Sequence, residues 1–111
     1  MAQTPQLPNE SNPFLLRDSL KYQEGAVVSK EILKTPSGTM TLFAFAEGQG
    51  LSQHTTPFEA MVYVIDGEAQ ITISGQTYLV ETGQIIHLPA GKPHALKAPT
   101  PFKMLLVMIK N

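Results

Sequence analysis

An all-β fold, a sandwich or a barrel, is what this sequence predicts, and three observations carry the prediction. Short runs rich in Val, Ile, Thr, Phe and Tyr recur between Gly and Pro punctuation. No helix signal of useful length interrupts them. The chain has 111 residues, 42% of them hydrophobic and 15% charged, which is enough apolar surface for one compact core and too little length for two ordinary domains.

Taken in order, residues 1–13 read as a flexible arm, because the opening stretch MAQTPQLPNESN is polar and broken by Pro5 and Pro8. The barrel domain then occupies 14–111. Strands are predicted near Ala26–Lys34, Thr39–Ala46, Ala60–Ile65, Ala69–Ser74, Thr77–Val80, Ile85–Leu88, His94–Lys97 and Phe102–Lys110. Asp66-Gly67, between VYVI and EAQITI, predicts a hairpin, since Asp and Gly tolerate the backbone angles of a two-residue loop. Ser74-Gly75 predicts another, and together they predict a three-stranded meander. The segment PAGKP at Pro89–Pro93 cannot continue a central strand, because its two prolines remove ladder donors. It reads as a rigid loop that delivers His94 to the next strand. The final run, FKMLLVMIK, is apolar at nearly consecutive positions, the pattern of a strand covered on both faces. Either a second copy of the chain or the segment Phe14–Tyr22 has to supply the outer cover.

Several function classes are disfavoured early. The 8 Lys+Arg against 9 Asp+Glu give a formal net charge of -1 without a basic cluster, so no nucleic-acid partner is expected. The longest apolar run near the C-terminus, Met104–Ile109, is far short of the ~18–20 residues a spanning helix needs, so no membrane partner is expected either. The N-terminus lacks the basic start and apolar stretch of a secretory signal, and a cytoplasmic location is the expectation. With no cysteine, disulfides and thiolate metal sites are out, so any metal must be held by His, Asp, Glu or weaker oxygen donors.

The chemistry-bearing residues are His54, His87 and His94. Two of them are expected to open a strand after a Gly-containing loop. Gly48 is followed by five residues and His54, then Thr56, Ala60 and, after six intervening residues, Gly67; Gly83 is followed by five residues, Pro89, Gly91, His94 and Ala98. In this spacing the chain resembles the cupin family, small single-domain type, with the glycine and proline frame of both family motifs intact. The resemblance implies a jelly-roll β-barrel, the double-stranded β-helix, whose mouth opens on a cavity for one small ligand. In the family pattern three His and one Glu converge there on a divalent metal such as Fe, Mn, Ni, Cu or Zn. Here His54 and His94 keep two of those positions, while Thr56 and Ala60 stand at the other two and Ala98 replaces a motif asparagine.

Two neutral imidazoles alone make a weak site, since open catalytic sites keep about three protein donors plus water. Substitute donors near at hand are the Thr56 hydroxyl and the Glu59 carboxylate, although strand alternation places Glu59 opposite to Ala60 unless Pro57-Phe58 bends it inward. Counting by twos from Ala60 puts Val62 and Val64 on the cavity face; Met40, Leu42, Phe43, Phe45, Phe102 and Met104 are further apolar candidates whose faces register alone decides. His87 is not expected to be a ligand. The leading expectation is a homodimeric cupin that binds a small molecule, with at most a weakly held divalent metal. The alternatives are a metal-dependent dioxygenase, isomerase or decarboxylase using His54, His94 and a substitute third ligand, and a structural dimerisation domain.

Overall fold

The computed structural model describes residues 11–110, so all but the last few residues of the expected arm, 1–13, lie outside the described residues. Nine strands follow a single 3-10 turn at Leu16–Asp18: β1 (Val27–Thr35), β2 (Gly38–Phe45), β3 (Gly50–His54), β4 (Glu59–Asp66), β5 (Glu68–Ile73), β6 (Gln76–Glu81), β7 (Ile85–Leu88), β8 (His94–Lys97) and β9 (Phe102–Ile109). They form two sheets, β1-β2-β9-β4-β7 and β3-β8-β5-β6, with every pairing antiparallel. Two sheets that exchange strands along the chain in this order make the expected jelly roll.

All eight predicted strands are present, and the ninth, β3, is the one the sequence did not announce. Its residues, GLSQH, offer a single apolar side chain, and its pairing with β8 slips between Leu51 and His54. A bulged, polar strand of this kind carries no alternation to detect. His54 therefore closes β3 instead of opening a strand, whereas His94 opens β8 as expected.

The predicted meander is corrected. The Ser74-Gly75 hairpin joins β5 and β6, with positive φ of 50° and 85° at its two turn residues. Asp66-Gly67 does something else: β4 pairs with β7 and β9, whereas β5 pairs with β6 and β8, so the chain crosses from one sheet to the other at Gly67. Gly67 takes a φ of 74°, and a Cβ there would collide with the carbonyl oxygen of Pro101. The glycine serves a tight corner packed against another loop. An Asp-Gly hairpin and this corner share the same local requirement, which is why the sequence does not separate them.

Between the sheets lies the main core, in which the buried rings of Phe45 and Phe102 stack with centroids 4.4 Å apart and Val62, Val64, Ile71 and Met104 close around them. Full burial of each such side chain is worth about 1.5–3 kcal/mol. A second cluster sits on the outer face of the five-stranded sheet, where Ile32, Leu42 and Leu105 are covered by Leu16 and Leu20. The consecutive apolar residues of β9 thus divide between two environments, and Phe14–Tyr22 supplies part of the outer cover. That segment is held by Tyr22, whose hydroxyl donates to the Asp66 carboxylate, and by Lys103, whose ammonium donates to the Arg17 carbonyl and lies 4.9 Å from the Tyr22 ring centre. Further along the same face Ile109 remains 52% exposed.

Candidate functional site

His54 and His94 face each other because β3 and β8 are register partners at these two residues. Their Nε2 atoms are 3.1 Å apart and their rings meet edge to face at 70°. Each ring is aimed by its other nitrogen: His54 Nδ1 lies 2.8 Å from the Ser52 carbonyl oxygen and His94 Nδ1 lies 3.3 Å from that of Lys92. A carbonyl only accepts, so each of these contacts favours a proton on Nδ1, while the two Nε2 atoms lie at hydrogen-bond distance from each other. His94 is 4% exposed, and burial chiefly, with His54 as a smaller influence, pushes its pKa below the ordinary histidine value against the opposing hydrogen bond to Lys92. Near neutral pH its ring is uncharged.

Behind this pair lies a partly enclosed cavity of about 120 Å³, lined by Leu51, Thr56, Ala60, Leu88, Leu96, Met104, Leu106 and Met108 as well as the two histidines. The rigid loop at its rim is where it was expected. Gly91, at φ 76°, donates its N–H to the Thr56 carbonyl at 2.8 Å, which ties the β7–β8 loop to the segment after β3. Positions 54, 56 and 94 are thereby held as one unit.

The other predicted site residues separate into three groups. Thr56 and Ala60 line the cavity, Thr56 with its hydroxyl oxygen accepting from the Phe58 N–H at 3.3 Å and Ala60 with a methyl that is 2% exposed. Val62 and Val64 point inward as counted, but they are fully buried in the core outside the lining. Glu59 is corrected as a substitute donor: strand alternation holds it on the outer face, where its carboxylate accepts from His87 Nε2 at 2.6 Å and from the Ala90 N–H at 3.2 Å. The His87 bond, and then the Ala90 bond, keep the Glu59 carboxyl below the usual range. His87 is accordingly occupied outside the barrel. Of the apolar candidates, Met104 lines the cavity, Phe45 and Phe102 belong to the core beside it, and Met40 and Leu42 pack on the outer side. Leu51, Leu88, Leu96, Leu106 and Met108 had gone unnoticed; alternation from Met104 along β9 would have found Leu106 and Met108.

The donor set does not fit the family's four-ligand metal. Two nitrogens 3.1 Å apart, each about 2.1 Å from one ion, would subtend an angle of about 95°, as two adjacent ligands do. Beyond them the lining offers one neutral hydroxyl, at Thr56, the soft thioethers of Met104 and Met108, and otherwise hydrocarbon, and among the described residues no three His, Asp or Glu side chains come together.

Comparison with known proteins agrees with this architecture. The Cupin domain family matches residues 41–109, and the chain belongs to the cupin family. A protein of unknown function from Streptococcus pyogenes superimposes with a TM-score of 0.92 at 33% identity, covering 100% of this chain and 96% of its own. A cupin 2 conserved barrel domain protein from Leptotrichia buccalis gives 0.85 at 39% identity over 87% of this chain and 47% of its own, and a cupin superfamily protein from Desulfitobacterium hafniense gives 0.90 at 27% identity over 99% and 100%. Among curated proteins, quercetin 2,3-dioxygenase of Bacillus subtilis is 31% identical over an alignment of 103 residues that covers 85% of this chain. The chain spans 30% of the length of that enzyme. Among the described residues no helix is long and apolar enough to cross a membrane.

Proposed function

We propose that this cupin binds a small molecule in the barrel cavity, with His54 and His94 as its polar end and Ala60, Leu88, Met104 and Met108 as its apolar wall. The observation that carries the reading is a cavity that is apolar except for Thr56 and two imidazoles whose Nε2 atoms meet at 3.1 Å. A pair of imidazole nitrogens at the end of an apolar hollow suits a ligand with a compact hydrocarbon body and one hydroxyl group that exchanges hydrogen bonds with them. Size narrows the class further. A dry apolar cavity of about 150 Å³ takes up benzene, whereas drug-sized ligands need about 300–1,000 Å³, so a cavity of about 120 Å³ matches a ligand of one ring or a short branched chain.

The second reading, a metal-dependent dioxygenase, isomerase or decarboxylase, has behind it the similarity to quercetin 2,3-dioxygenase over a part of that enzyme. Against it stand the two missing donors and the small size of the cavity. Titration of the protein with phenol and with benzene in chelator-treated buffer, followed by NMR, separates the readings. Phenol is expected to bind about two- to tenfold more tightly, the worth of one hydrogen bond, and His94→Ala to erase the difference. Absence of binding by either compound at millimolar concentration would sink the proposal.

A further inference from the structure

We infer that this chain works without the resident metal of its family, and that two side chains, Thr56 and Ala60, decide this. The inference rests on the small-molecule reading of the same cavity and adds to it the chemistry of the missing half of the site. A divalent ion of the Fe, Mn, Ni or Zn kind is kept through dialysis by three or four protein donors of His or carboxylate type. The frame that would present four such donors is whole: the register pairing of His54 with His94, the Nδ1 bonds that aim both rings, and the Gly91 bond that fixes the Thr56 backbone are all in place. What the frame presents at its remaining positions is a hydroxyl already accepting from Phe58 and a methyl group.

Replacement from nearby is also closed off. Glu59, adjacent to Ala60, is the one carboxylate close in sequence to the missing ligand position, and it is bound twice on the opposite face of β4, to His87 and to the Ala90 N–H. To enter the cavity it would have to give up both hydrogen bonds and reverse the alternation of a strand whose neighbours Ala60, Val62 and Val64 are buried. The Glu59–His87 clasp therefore keeps the carboxylate outside. Where the family pattern has a charged ligand, this chain has a small apolar hollow that becomes part of the ligand's wall.

The test compares the wild-type chain with Thr56→His/Ala60→Glu, which restores the family's donors, and with Ala60→Glu alone. Each protein is loaded separately with Mn²⁺, Fe²⁺, Ni²⁺ and Zn²⁺, dialysed against metal-free buffer, and analysed for metal; unfolding midpoints are recorded with and without added ion. The wild type is expected to retain less than about a tenth of an ion per chain and the double variant about one, with a metal-dependent rise of about 10 °C in its midpoint. Glu59→Gln is expected to leave wild-type retention unchanged. Retention near one ion per chain in the wild type, lost in His54→Ala or in Glu59→Gln, would overturn the inference. So would a folded double variant that holds no more metal than the wild type; if the double variant does not fold, Ala60→Glu and the wild-type measurements decide. Phenol binding in chelator is read separately, so failure of the ligand reading and failure of the metal inference are told apart.

Discussion

Met104→Ala tests the cavity wall where core and site share one side chain. Met104 is buried in the main core and also lines the hollow behind the histidines. Truncation removes three heavy atoms, about 2.4 kcal/mol of transfer free energy at ~0.8 kcal/mol per buried group. If the surroundings hold their places, the hollow grows by about 70 Å³, which at ~24 cal/mol per Å³ adds about 1.7 kcal/mol. The expected loss is therefore about 4 kcal/mol, read as a lower urea midpoint at unchanged slope. A second measurement separates a rigid wall from a yielding one: the enlarged cavity, near 190 Å³ by this reckoning, should take a two-ring phenol that the wild type rejects, and that ligand should restore part of the lost stability. A loss under about 1 kcal/mol with no new ligand taken up would mean that the wall collapses and that the hollow is not a preformed site.

Two other outcomes concern the outer face. Tyr22→Phe removes the donor to Asp66 and is expected to destabilise by about 1 kcal/mol at neutral pH, measured by urea unfolding. Burial, followed by the hydrogen bond and the charge of Asp66, raises the Tyr22 pKa, so its folded form keeps the proton longer than its unfolded form; wild-type stability should fall as pH rises above the ordinary tyrosine value near 10, and that fall should be absent in Tyr22→Phe. We propose that a homodimer would seat on the rest of this face, where Tyr63, Ile85 and Ile109 are exposed beside the mutually bonded Glu59 and His87. Sedimentation at about 50 μM should give a dimer for the wild type and a monomer for Ile109→Lys; a monomeric wild type removes the second copy from the account.

The barrel was legible because its strands are written in alternation and its loops in glycine and proline. Where those signals are shared by two structures, legibility stopped. Gly67 meets the backbone demand of a hairpin and of a corner between sheets, and only the long-range pairing of β4 with β7 and β9, and of β5 with β6 and β8, tells them apart. The site was legible to the extent that spacing defines it: His54, Thr56, Ala60 and His94 do line one cavity. The rest of the lining comes from β3, β7, β8 and β9, and a side chain's membership there depends on register between strands far apart in sequence. Glu59 shows the local rule and the long-range contact acting together, since alternation turned it outward and His87, twenty-eight positions away, holds it there.

Nine strands are not by themselves the folding unit of this protein. A chain begun at Val27 would keep every strand of both sheets, yet it would strip Leu16 and Leu20 from Ile32, Leu42 and Leu105. It would also leave Lys103, 9% exposed in the intact fold, without the Arg17 carbonyl and the Tyr22 ring that receive its ammonium. Uncovered, the Lys103 ammonium reaches water, so the cost of the truncation lies chiefly in the apolar side chains it exposes, up to about 1.5–3 kcal/mol for each. For cloning, truncation or fusion, the usable boundary lies ahead of Leu16. The segment from there to Tyr22 contributes no strand and no lining to the histidine cavity, yet it is the lid of the outer apolar cluster.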